Sequence, residues 1–509
     1  MSLLGVDVGT TGCKAVAFSE QAQVLSYGYA EYDIKTPQPG YAELDTAEVW
    51  NKVKAVIAKA ASGTGDDNIT SLSITSLGEA MVPVTRDRKP LGDSILLIDT
   101  RGNEEVPFIS SVIDNESLYQ INGNTLGTHY SLPTLLWIKK NNPGLYARTD
   151  KFLLWSSFVA FMLGAEPAVD YSLANRTLLF DINEKQWSET IFNALDIDAS
   201  KLPTIVASGT IIGEVSKEIS QELSLPQNVK IVAGGHDQCA NAVGCGVIED
   251  GQVMYGMGTF LCAVPVFEKR PPSKAMIEYG LSTEDHVRDN RYVSFIYNQG
   301  GCLVKWFRDT FAANDHEKAS RQGEEVYELI FSEMPDGPVD VTVLPYFTST
   351  GPPRHYAAPF GLISGLNLST TRGQILKGIL QGATFYLTES IDRLTEIGLN
   401  VSEYRAVGGG SKSDRWVQLS ADILGKPLLL TQSDEAGALG AAIIAGTGQG
   451  LFDSLEQGVA AMVRMERVIE PNMAVRERCL EQFGKYKQTA KLAEENFFDV
   501  SDSRIREDS

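Results

Sequence analysis

Two glycine–threonine turns, each placed after a short apolar segment, constrain the fold of this chain more than any other feature. The first, Asp7–Gly12 (Asp-Val-Gly-Thr-Thr-Gly), ends the predicted strand Leu3–Val8, and the second, Gly256–Thr259 (Gly-Met-Gly-Thr), ends the predicted strand Gln252–Tyr255. Another apolar segment follows each turn, so the order of strand, turn and strand occurs twice. This repetition predicts two related α/β domains, with mixed sheets flanked by helices, that face each other across a cleft.

Turns of this kind are suited to phosphate, because glycine lets backbone N–H groups approach anionic oxygens and threonine adds a hydroxyl donor. In the first turn we predict that Gly9, Thr10 and Thr11 contact phosphate. Lys14 is placed to neutralise phosphate charge, and Asp7 is placed to hold Mg²⁺ directly or through water. An ordinary hairpin with a polar turn is the alternative.

The second half of the chain has two further candidate turns. Gly258 and Thr259 form the second predicted phosphate turn, for which a close-packed turn without a ligand is the alternative. Gly409 and Gly410 lie between a predicted strand and a predicted helix, where backbone can approach a flat ligand such as adenosine. A plain turn with one left-handed residue is the alternative there.

A third glycine turn presents a single carboxylate. The apolar run Lys230–Ala233 leads into Gly234–Gln238 (Gly-Gly-His-Asp-Gln), and a helix is predicted from Asp237 to about Gly244. A helix N-terminus is expected to keep the pKa of Asp237 low, so that the ionised carboxylate can accept the proton of a hydroxyl. An aspartate that only caps the helix is the alternative. Two phosphate turns with one aspartate between them predict phosphoryl transfer to a hydroxyl.

A candidate acceptor site lies near the fourth predicted strand, Ile69–Thr75. Glu79 joins this strand to the next and is able to accept hydrogen bonds from a polyol; a solvated turn carboxylate is the alternative. His129, Asp99 and Arg101 are further candidates, although Asp99 and Arg101 are equally well explained as a structural ion pair.

Composition excludes several classes of function. The chain has 509 residues, so a single core is disfavoured. The net charge of −21 leaves no basic surplus for a nucleic-acid backbone, so nucleic acid is excluded as the main partner. The same charge means that an anionic nucleotide requires a divalent cation and local basic or backbone donors.

The cysteines and the hydropathy of the chain indicate where the protein works. The six cysteines show neither CxxC pairs nor His/Cys metal spacing, and we predict reduced, buried thiols. No segment has the length and apolar character of a membrane span, and no leader pattern opens the chain, so the expected location is the cytoplasm. The sequence leaves a monomer and a homodimer both open.

The expected domain boundary follows the helix after Asp237, which gives an N-terminal domain over 1–244, a C-terminal domain over 245–490 and a charged tail over 491–509. Within the first domain, a helix is predicted at Thr46–Ala61 with Thr46 as the N-cap. The segment 132–195 is predicted to form a helical cover over the sheet.

With these residues in view, the chain resembles the FGGY carbohydrate kinases, which include xylulose, gluconate, ribulose and glycerol kinases within the actin-like ATPase superfamily. The resemblance runs from residue 3 to about residue 450. Gly5–Thr11 is similar to the first phosphate motif of the family, and Gly234–Asp237 occupies the place of its catalytic aspartate. Gly361–Leu366, with the following segment Gln374–Gln381, is similar to the C-terminal signature.

Four positions depart from the family pattern. Gly378 stands where the C-terminal signature usually has alanine or serine. In the upstream signature Trp137 and Ile138 fit, but Thr134 stands where a lysine is usual. Glu79 falls where xylulose kinases have a histidine and glycerol kinases a glutamate, and Gly78 falls where glycerol kinases have an arginine, so the acceptor motif matches neither group.

The resemblance implies two actin-like, ribonuclease H-like domains that bind ATP, Mg²⁺ and a sugar or polyol. It implies Asp237 as the general base. The other implied contacts are Asp7 near the metal, Gly258 and Thr259 at the phosphates, Gly301 and Lys305 by the nucleotide, and Gly409 and Gly410 against adenosine. The candidate contacts of the acceptor are Gly78, Glu79, His129 and Asp237. A ketose such as a pentulose is the expected acceptor.

Two other functions remain open at this point. An actin-like ATPase or nucleotide switch would hydrolyse ATP without a sugar acceptor, and a catalytically silent regulator would bind sugar on the kinase fold. The silent regulator is expected to lack Asp237 or an intact Asp7 turn, and this chain retains both.

Overall fold

The computed structural model describes residues 1–65, 67–323, 325–352, 354, 356 and 359–497. In the N-terminal half, residues 1–244, the strands are β1 Ser2–Val8, β2 Gly12–Ser19, β3 Val24–Glu31, β4 Glu43–Leu44, β5 Ile69–Ser76, β6 Met81–Val84, β7 Ser94–Ile95, β8 Lys151–Leu154, β9 Ala168–Asp170, β10 Phe180–Asp181, β11 Gln186–Trp187, β12 Thr204–Val206, β13 Ile211–Glu214 and β14 Lys230–His236. The helices of this half are α1 Thr46–Ser62, α2 Val106–Val112, α3 Asn115–Asn122, α4 Ser131–Asn141, α5 Pro143–Arg148, α6 Trp155–Leu163, α7 Tyr171–Asn175, α8 Glu189–Leu195, α9 Lys217–Glu222 and α10 Asp237–Gly244.

The C-terminal half, residues 245–497, repeats the mixture of strands and helices. Its strands are β15 Gln252–Met257, β16 Phe260–Phe267, β17 Glu284–Asp285, β18 Tyr292–Val293, β19 Ile296–Gln299, β20 Thr342–Leu344, β21 Leu362–Ser364, β22 Glu403–Val407, β23 Leu428–Thr431 and β24 Met465–Ile469. Its helices are α11 Ser273–Glu278, α12 Gly301–Phe311, α13 Ala313–Gln322, α14 Val326–Ser332, α15 Arg372–Glu396, α16 Asp414–Leu424, α17 Ala436–Gly448, α18 Leu455–Met462 and α19 Met473–Phe497.

The main sheet of the N-terminal half has the strand order β13-β14-β5-β1-β2-β3. Strand β1 pairs antiparallel with β2 and parallel with β5, and β5 pairs parallel with β14. Ser76 at the end of β5 lies opposite both Val8 of β1 and His236 of β14. The carboxyl ends of these three parallel strands therefore lie at one edge of the sheet, which is where open α/β sheets bind ligands.

The main sheet of the C-terminal half has the same core. Its order is β17-β18-β16-β15-β22-β23-β24, and β19 also pairs with β16. Strand β15 pairs antiparallel with β16 and parallel with β22, as β1 does with β2 and β5. The repetition predicted from the two glycine–threonine turns is thus confirmed in the strand pairing.

Small residues let the two halves pack closely. A Cβ atom added at Gly5 of β1 would lie 1.8 Å from the carbonyl oxygen of Ala438 in α17, and one added at Gly440 would lie 1.9 Å from that of Ala240 in α10. Buried apolar side chains such as Leu3 continue this contact into a core shared by β1, α10 and α17. The first strand of the N-terminal half therefore rests directly on a helix of the C-terminal half.

Several local predictions need correction. The N-cap of α1 is Asp45, whose side chain accepts the N–H of Glu48 at 2.9 Å, while Thr46 is the first helical residue and donates to the carbonyl of Gly92. The predicted helical cover also contains the short strands β8, β9, β10 and β11, and β8 pairs antiparallel with β6. The predicted tail at 491–509 begins inside α19, and residues 498–509 lie outside the described part.

The prediction that the cysteines are unpaired thiols is confirmed, but the prediction that all of them are buried is partly wrong. All six cysteines are free; four are buried, but Cys262 in β16 and Cys302 in α12 are partly exposed. Among the described residues, no helix is long and apolar enough to cross a membrane.

Candidate active site

Three carboxylates gather at the edge where β1, β5 and β14 end. Asp7 is the second-last residue of β1, Glu79 follows β5, and Asp237 follows β14 directly. Both Asp7 and Glu79 act electrostatically on Asp237 and raise its pKa. The sheet register therefore brings together three acidic residues that are far apart in the sequence.

Asp237 is the first residue of α10, and His236 takes the N-cap position without a capping side-chain bond. The capping alternative for Asp237 is therefore excluded. One carboxylate oxygen, Oδ1, lies 3.3 Å from His236 Nε2, and the side chain is 23% exposed. Burial, followed by the charges of Asp7 and Glu79, raises the pKa of Asp237 to about 7. The expectation that the helix N-terminus keeps this pKa low is wrong, because burial and two nearby carboxylates outweigh it.

The neighbouring imidazole carries no charge. His236 is buried, and burial followed by the charge of Arg176 lowers its pKa well below the usual value. The backbone N–H of His236 donates to Ser172 Oγ at 2.9 Å, and Ser172 in turn donates to Asp170. These bonds fix the end of β14 and thereby the direction of Asp237.

The first glycine–threonine turn is closed by backbone and tyrosine bonds. The N–H of Gly9 donates to the carbonyl of Gly12 at 2.9 Å, and Tyr32 Oη donates to the carbonyls of Gly9 and Gly12 at 2.6 and 3.0 Å. Thr10 is partly exposed and Thr11 is exposed. The carbonyls of the turn thus point inward, and its outer side carries the threonines.

Asp7 and Lys14 lie opposite each other in β1 and β2. Lys14 Nζ is 2.9 Å from Glu435 Oε2, so Lys14 bridges the two halves of the chain. Burial raises the pKa of Asp7 to about 6; Lys14 opposes this effect and Glu435 adds to it. Glu435 was not predicted from sequence, although the run Glu435–Gly440 (Glu-Ala-Gly-Ala-Leu-Gly) offers a polar residue followed by close-packing glycines.

Asp7 also faces the N-terminus of α17. A Cβ atom added at Gly437 would lie 3.3 Å from Asp7 Oδ2 and 3.2 Å from Asn241 Oδ1. The thirteen-residue helix α17 and the helix α10 therefore both begin next to the edge that carries the acidic residues. Asn241 is a second site residue that sequence reasoning missed.

Glu79 is not a solvated turn carboxylate, because it is 7% exposed and binds Arg176. Arg176 Nε donates to Glu79 Oε1 at 2.7 Å, Nη2 donates to the same oxygen, and Nη1 donates to Glu284 Oε1 at 2.7 Å. Gly78 leaves room for this arginine, since a Cβ atom there would lie 3.0 Å from Arg176 Cγ and 3.1 Å from His236.

This arginine also lines a small cavity. Residues of both halves line it, and they are Thr125, His129, Tyr130, Arg176, Gly280, Leu281, Ser282, Phe295, Tyr297 and Pro352. The candidate His129 thus belongs to the same region as Glu79. In contrast, Asp99 and Arg101 form the predicted structural ion pair at 2.6 Å, buried with Glu43 and away from this cavity.

The second glycine–threonine turn packs against the start of α12. The N–H of Gly301 donates to the carbonyl of Gly258 at 2.9 Å, and that of Cys302 donates to the carbonyl of Thr259 at 3.0 Å. Lys305 is on the outer face of α12, where its 65% exposed side chain pairs with Asp309 at 2.7 Å. The structure therefore joins Gly258, Thr259 and Gly301, and Lys305 follows one helical turn after Gly301.

The glycine triplet lies beside this turn, because β22 pairs in parallel with β15. Gly408 has φ +96°, and a Cβ atom there would lie 3.0 Å from the carbonyl oxygen of Met257. A Cβ atom at Gly410 would meet Trp416 at 2.7 Å, whereas one at Gly409 would meet nothing within 4 Å. Gly409 thus faces open space next to the second turn.

Among the described residues, no group of three His, Cys, Asp or Glu side chains is arranged to hold a metal ion without help. Mg²⁺ does not require such a group, because it is usually bound by one or two carboxylates together with water and phosphate oxygens. Asp7, with a carboxylate oxygen near the helix N-terminus of α17 and a raised pKa, fits this kind of binding.

Comparison with protein families decides the class of the molecule. The model of the N-terminal domain of the FGGY family of carbohydrate kinases matches residues 2–244, and the model of the C-terminal domain matches residues 254–448. The chain belongs to the FGGY family of carbohydrate kinases. It is a phosphotransferase, and membership of this family implies that it uses ATP.

Relatives of this FGGY kinase cover nearly its whole length. Xylulose kinase of Bacillus subtilis (strain 168) is 27% identical over 472 residues, 92% of each chain. Autoinducer-2 kinase of Yersinia enterocolitica is 28% identical over 493 residues, 92% of this chain and 90% of the other. The crystal structure of xylulose kinase from Rhodospirillum rubrum has a TM-score of 0.86 at 23% identity, over 97% of this chain and 99% of that one, which confirms the predicted fold.

Proposed function

We propose that this kinase transfers the γ-phosphoryl group of ATP to a hydroxyl of a sugar or polyol, most closely a ketose such as a pentulose. The observation that carries the proposal is the position of Asp237, a carboxylate with a pKa of about 7 at the edge where Asp7 and Glu79 also lie. A base with a pKa near neutrality is suited to accept a proton from a hydroxyl at physiological pH. The likeness to xylulose kinases supports a ketose.

In the proposed mechanism, Asp237 accepts the proton of the acceptor hydroxyl as its oxygen attacks phosphorus. His236 and the Ser172 bond hold Asp237 in place. Glu79 orients the acceptor by accepting hydrogen bonds from its other hydroxyls. Asp7 would hold Mg²⁺ directly or through water, and the ion would supply positive charge near the phosphate oxygens.

The remaining predicted residues form the nucleotide side. Gly9, Thr10, Thr11 and Lys14 are proposed to bind phosphate from the N-terminal half, since the threonines lie on the outer side of their turn and Lys14 lies opposite Asp7. Gly258, Thr259 and Gly301 do so from the C-terminal half, and Gly409 and Gly410 lie against adenosine. Lys305 stays a weaker prediction, because it is paired with Asp309 on an exposed helix face.

The test is ADP release with and without acceptors. A coupled assay over glycerol, tetruloses, pentuloses, hexuloses and aldonates should show ADP formation that depends on at least one acceptor, with one phosphorylated sugar formed per ADP. ADP formation that no acceptor stimulates would indicate an ATPase or nucleotide switch. Absence of ATP turnover and of ATP binding would indicate a sugar-binding regulator.

We expect kcat/KM for the acceptor to fall on the acid side of a pH profile with an apparent pKa of about 7, because protonated Asp237 cannot accept a proton. Since Glu79 raises the pKa of Asp237, Glu79→Gln should move this limb to lower pH while also lowering the rate. Steady-state kinetics between pH 5 and 9 measure the shift. Glu104→Gln, at an exposed position, should leave the limb in place; an unshifted limb in Glu79→Gln would contradict the assignment.

Gly409→Val should raise KM for ATP about tenfold or more and leave thermal stability nearly unchanged. The added side chain points into open space, so it disturbs no protein contact and acts only on a ligand that occupies that space. Gly144→Val is the matched control, because a Cβ atom added at Gly144 would also meet nothing within 4 Å, and Gly144 lies in α5, outside both turns. Equal KM values for ATP in the two variants would remove Gly409 from the nucleotide site.

A further inference from the structure

A buried Glu79–Arg176–Glu284 triad joins the two halves of the chain, and its arginine lines the cavity between them. Glu284, in β17 of the C-terminal half, is fully buried, and Glu79 and Arg176 of the N-terminal half are 7% and 8% exposed. Three N–H groups of the guanidinium donate to the two glutamates. The positive charge of Arg176 is therefore matched twice over by carboxylates of the protein itself.

The triad is part of the acceptor region and is directly connected to Asp237. Gly78 lies between Arg176 and His236, since a Cβ atom added there would lie 3.0 Å from Arg176 Cγ and 3.1 Å from His236. His236 Nε2 in turn lies 3.3 Å from Asp237 Oδ1. The guanidinium carbon lies 4.9 Å from the ring centre of Tyr130 and 5.6 Å from that of Phe295, both of which line the cavity. Arg176 therefore contacts the cavity on one side and the segment that carries Gly78 and Glu79 on the other.

The charges around Arg176 are mostly negative. Glu79, Glu284 and Asp237 each carry a carboxylate, and Asp7 lies close enough to act on Asp237. Arg176 is the only lysine or arginine among the described residues that line the cavity, and His236 is neutral. Arg176 offers no uncompensated charge to a carboxylate on the acceptor, because this buried arginine is already held by two glutamates.

Arg176 can nevertheless bind a neutral oxygen. A guanidinium has five N–H donors, and three of them are used by Glu79 and Glu284. The remaining two are available to a hydroxyl or ketone oxygen, which needs a hydrogen bond but no counter-charge. The aromatic rings of Tyr130, Phe295 and Tyr297 offer flat apolar surface to the carbon skeleton.

We propose that the Glu79–Arg176–Glu284 triad makes the acceptor site selective for uncharged polyhydroxy compounds and rejects aldonates of the same length, with Glu284 of the C-terminal half as the specificity-determining residue. This inference rests on the proposed function and names the acceptor class more narrowly. Glu284 acts through Arg176. Its carboxylate compensates the positive charge of the guanidinium, which an acceptor carboxylate would otherwise need as its partner.

The test compares neutral and anionic acceptors of equal carbon number, with glycerol against glycerate, erythrulose against erythronate, xylulose against xylonate, and fructose against gluconate. For the best pair we expect kcat/KM of the neutral member to exceed that of its partner about 100-fold or more. An aldonate that equals or exceeds its neutral partner would overturn the inference while leaving the kinase assignment intact. If neither the neutral nor the anionic acceptors are phosphorylated, both the specificity inference and the proposed function are contradicted.

Glu284→Gln separates specificity from a merely structural effect. The amide still accepts a hydrogen bond from Arg176 but carries no charge, so the ratio of aldonate to neutral kcat/KM should rise about tenfold, mainly through KM of the aldonate. A structural role alone would lower both acceptors equally and leave the ratio unchanged, which would overturn the proposal. Glu278→Gln, in the same half and outside the cavity lining, is the matched control and should not change the ratio.

Glu79→Gln provides a second route to the same answer if Glu284→Gln fails to fold. It removes the other negative charge on Arg176 from the opposite half of the chain, and the ratio of aldonate to neutral kcat/KM should again rise. Thermal unfolding of each variant shows whether the comparison is made on folded protein. A ratio that stays constant in every folded variant would contradict the proposal.

Discussion

Asp237→Asn should lower kcat at pH 8 by about 1,000-fold or more, which corresponds to about 4 kcal/mol of lost transition-state stabilisation. Asparagine has the shape of the aspartate and retains one oxygen, but it cannot take a proton from the acceptor hydroxyl. The contact with His236 and the start of α10 are kept, because His236 and not Asp237 is the N-cap. Affinity for ATP should therefore change little.

The loss should also depend on pH in a defined direction. Because the pKa of Asp237 is raised to about 7, the wild-type base is largely protonated at pH 6, and the ratio of wild-type to variant rates should shrink as pH falls. Acceptor-dependent ADP formation and calorimetric binding of ATP measure the two quantities. Asp87→Asn, at a side chain 63% exposed, controls for the loss of an aspartate in general. Retention of more than about a tenth of wild-type turnover would remove Asp237 as the general base.

The parts of the site that could be predicted from sequence are those fixed by local patterns. Apolar runs followed by glycine turns indicated the strands β1, β14 and β15, and each candidate carboxylate was found next to such a turn. Strands of this kind place their ends at one sheet edge once they pair in parallel, so the meeting of Asp7 and Asp237 follows from topology. The internal repetition was visible for the same reason, since both turns obey the same strand–turn–strand order.

The parts that could not be predicted depend on contacts between distant segments. Arg176 lies 97 positions from Glu79 and 108 from Glu284, and no local pattern indicates that one arginine binds both. The pKa of Asp237 was expected to be low from its helix alone, but it is set by burial and by carboxylates that other strands bring near. The exposed pair of Lys305 with Asp309 was likewise not predicted, because the resemblance placed Lys305 only by the nucleotide.

The second large effect is expected at Gly5, where a single added methyl group should disrupt both stability and activity. In Gly5→Ala the new Cβ would lie 1.8 Å from the carbonyl oxygen of Ala438, and neither backbone can move without shifting β1 or α17. Overpacking against backbone should cost about 3 kcal/mol or more. Because Asp7 is two residues along the same strand and faces Gly437 of the same helix, the shift should also lower kcat.

Scanning calorimetry and acceptor-dependent ADP formation at a temperature where the variant remains folded measure the two effects separately. Gly484→Ala is the matched control: it adds the same methyl group in α19, where nothing lies within 4 Å, and a helix-interior glycine replaced by alanine is stabilised by up to about 1 kcal/mol. A Gly5→Ala protein with wild-type Tm and wild-type kcat would show that β1 and α17 are not in close contact. The placement of Asp7 next to α17 would then also be contradicted.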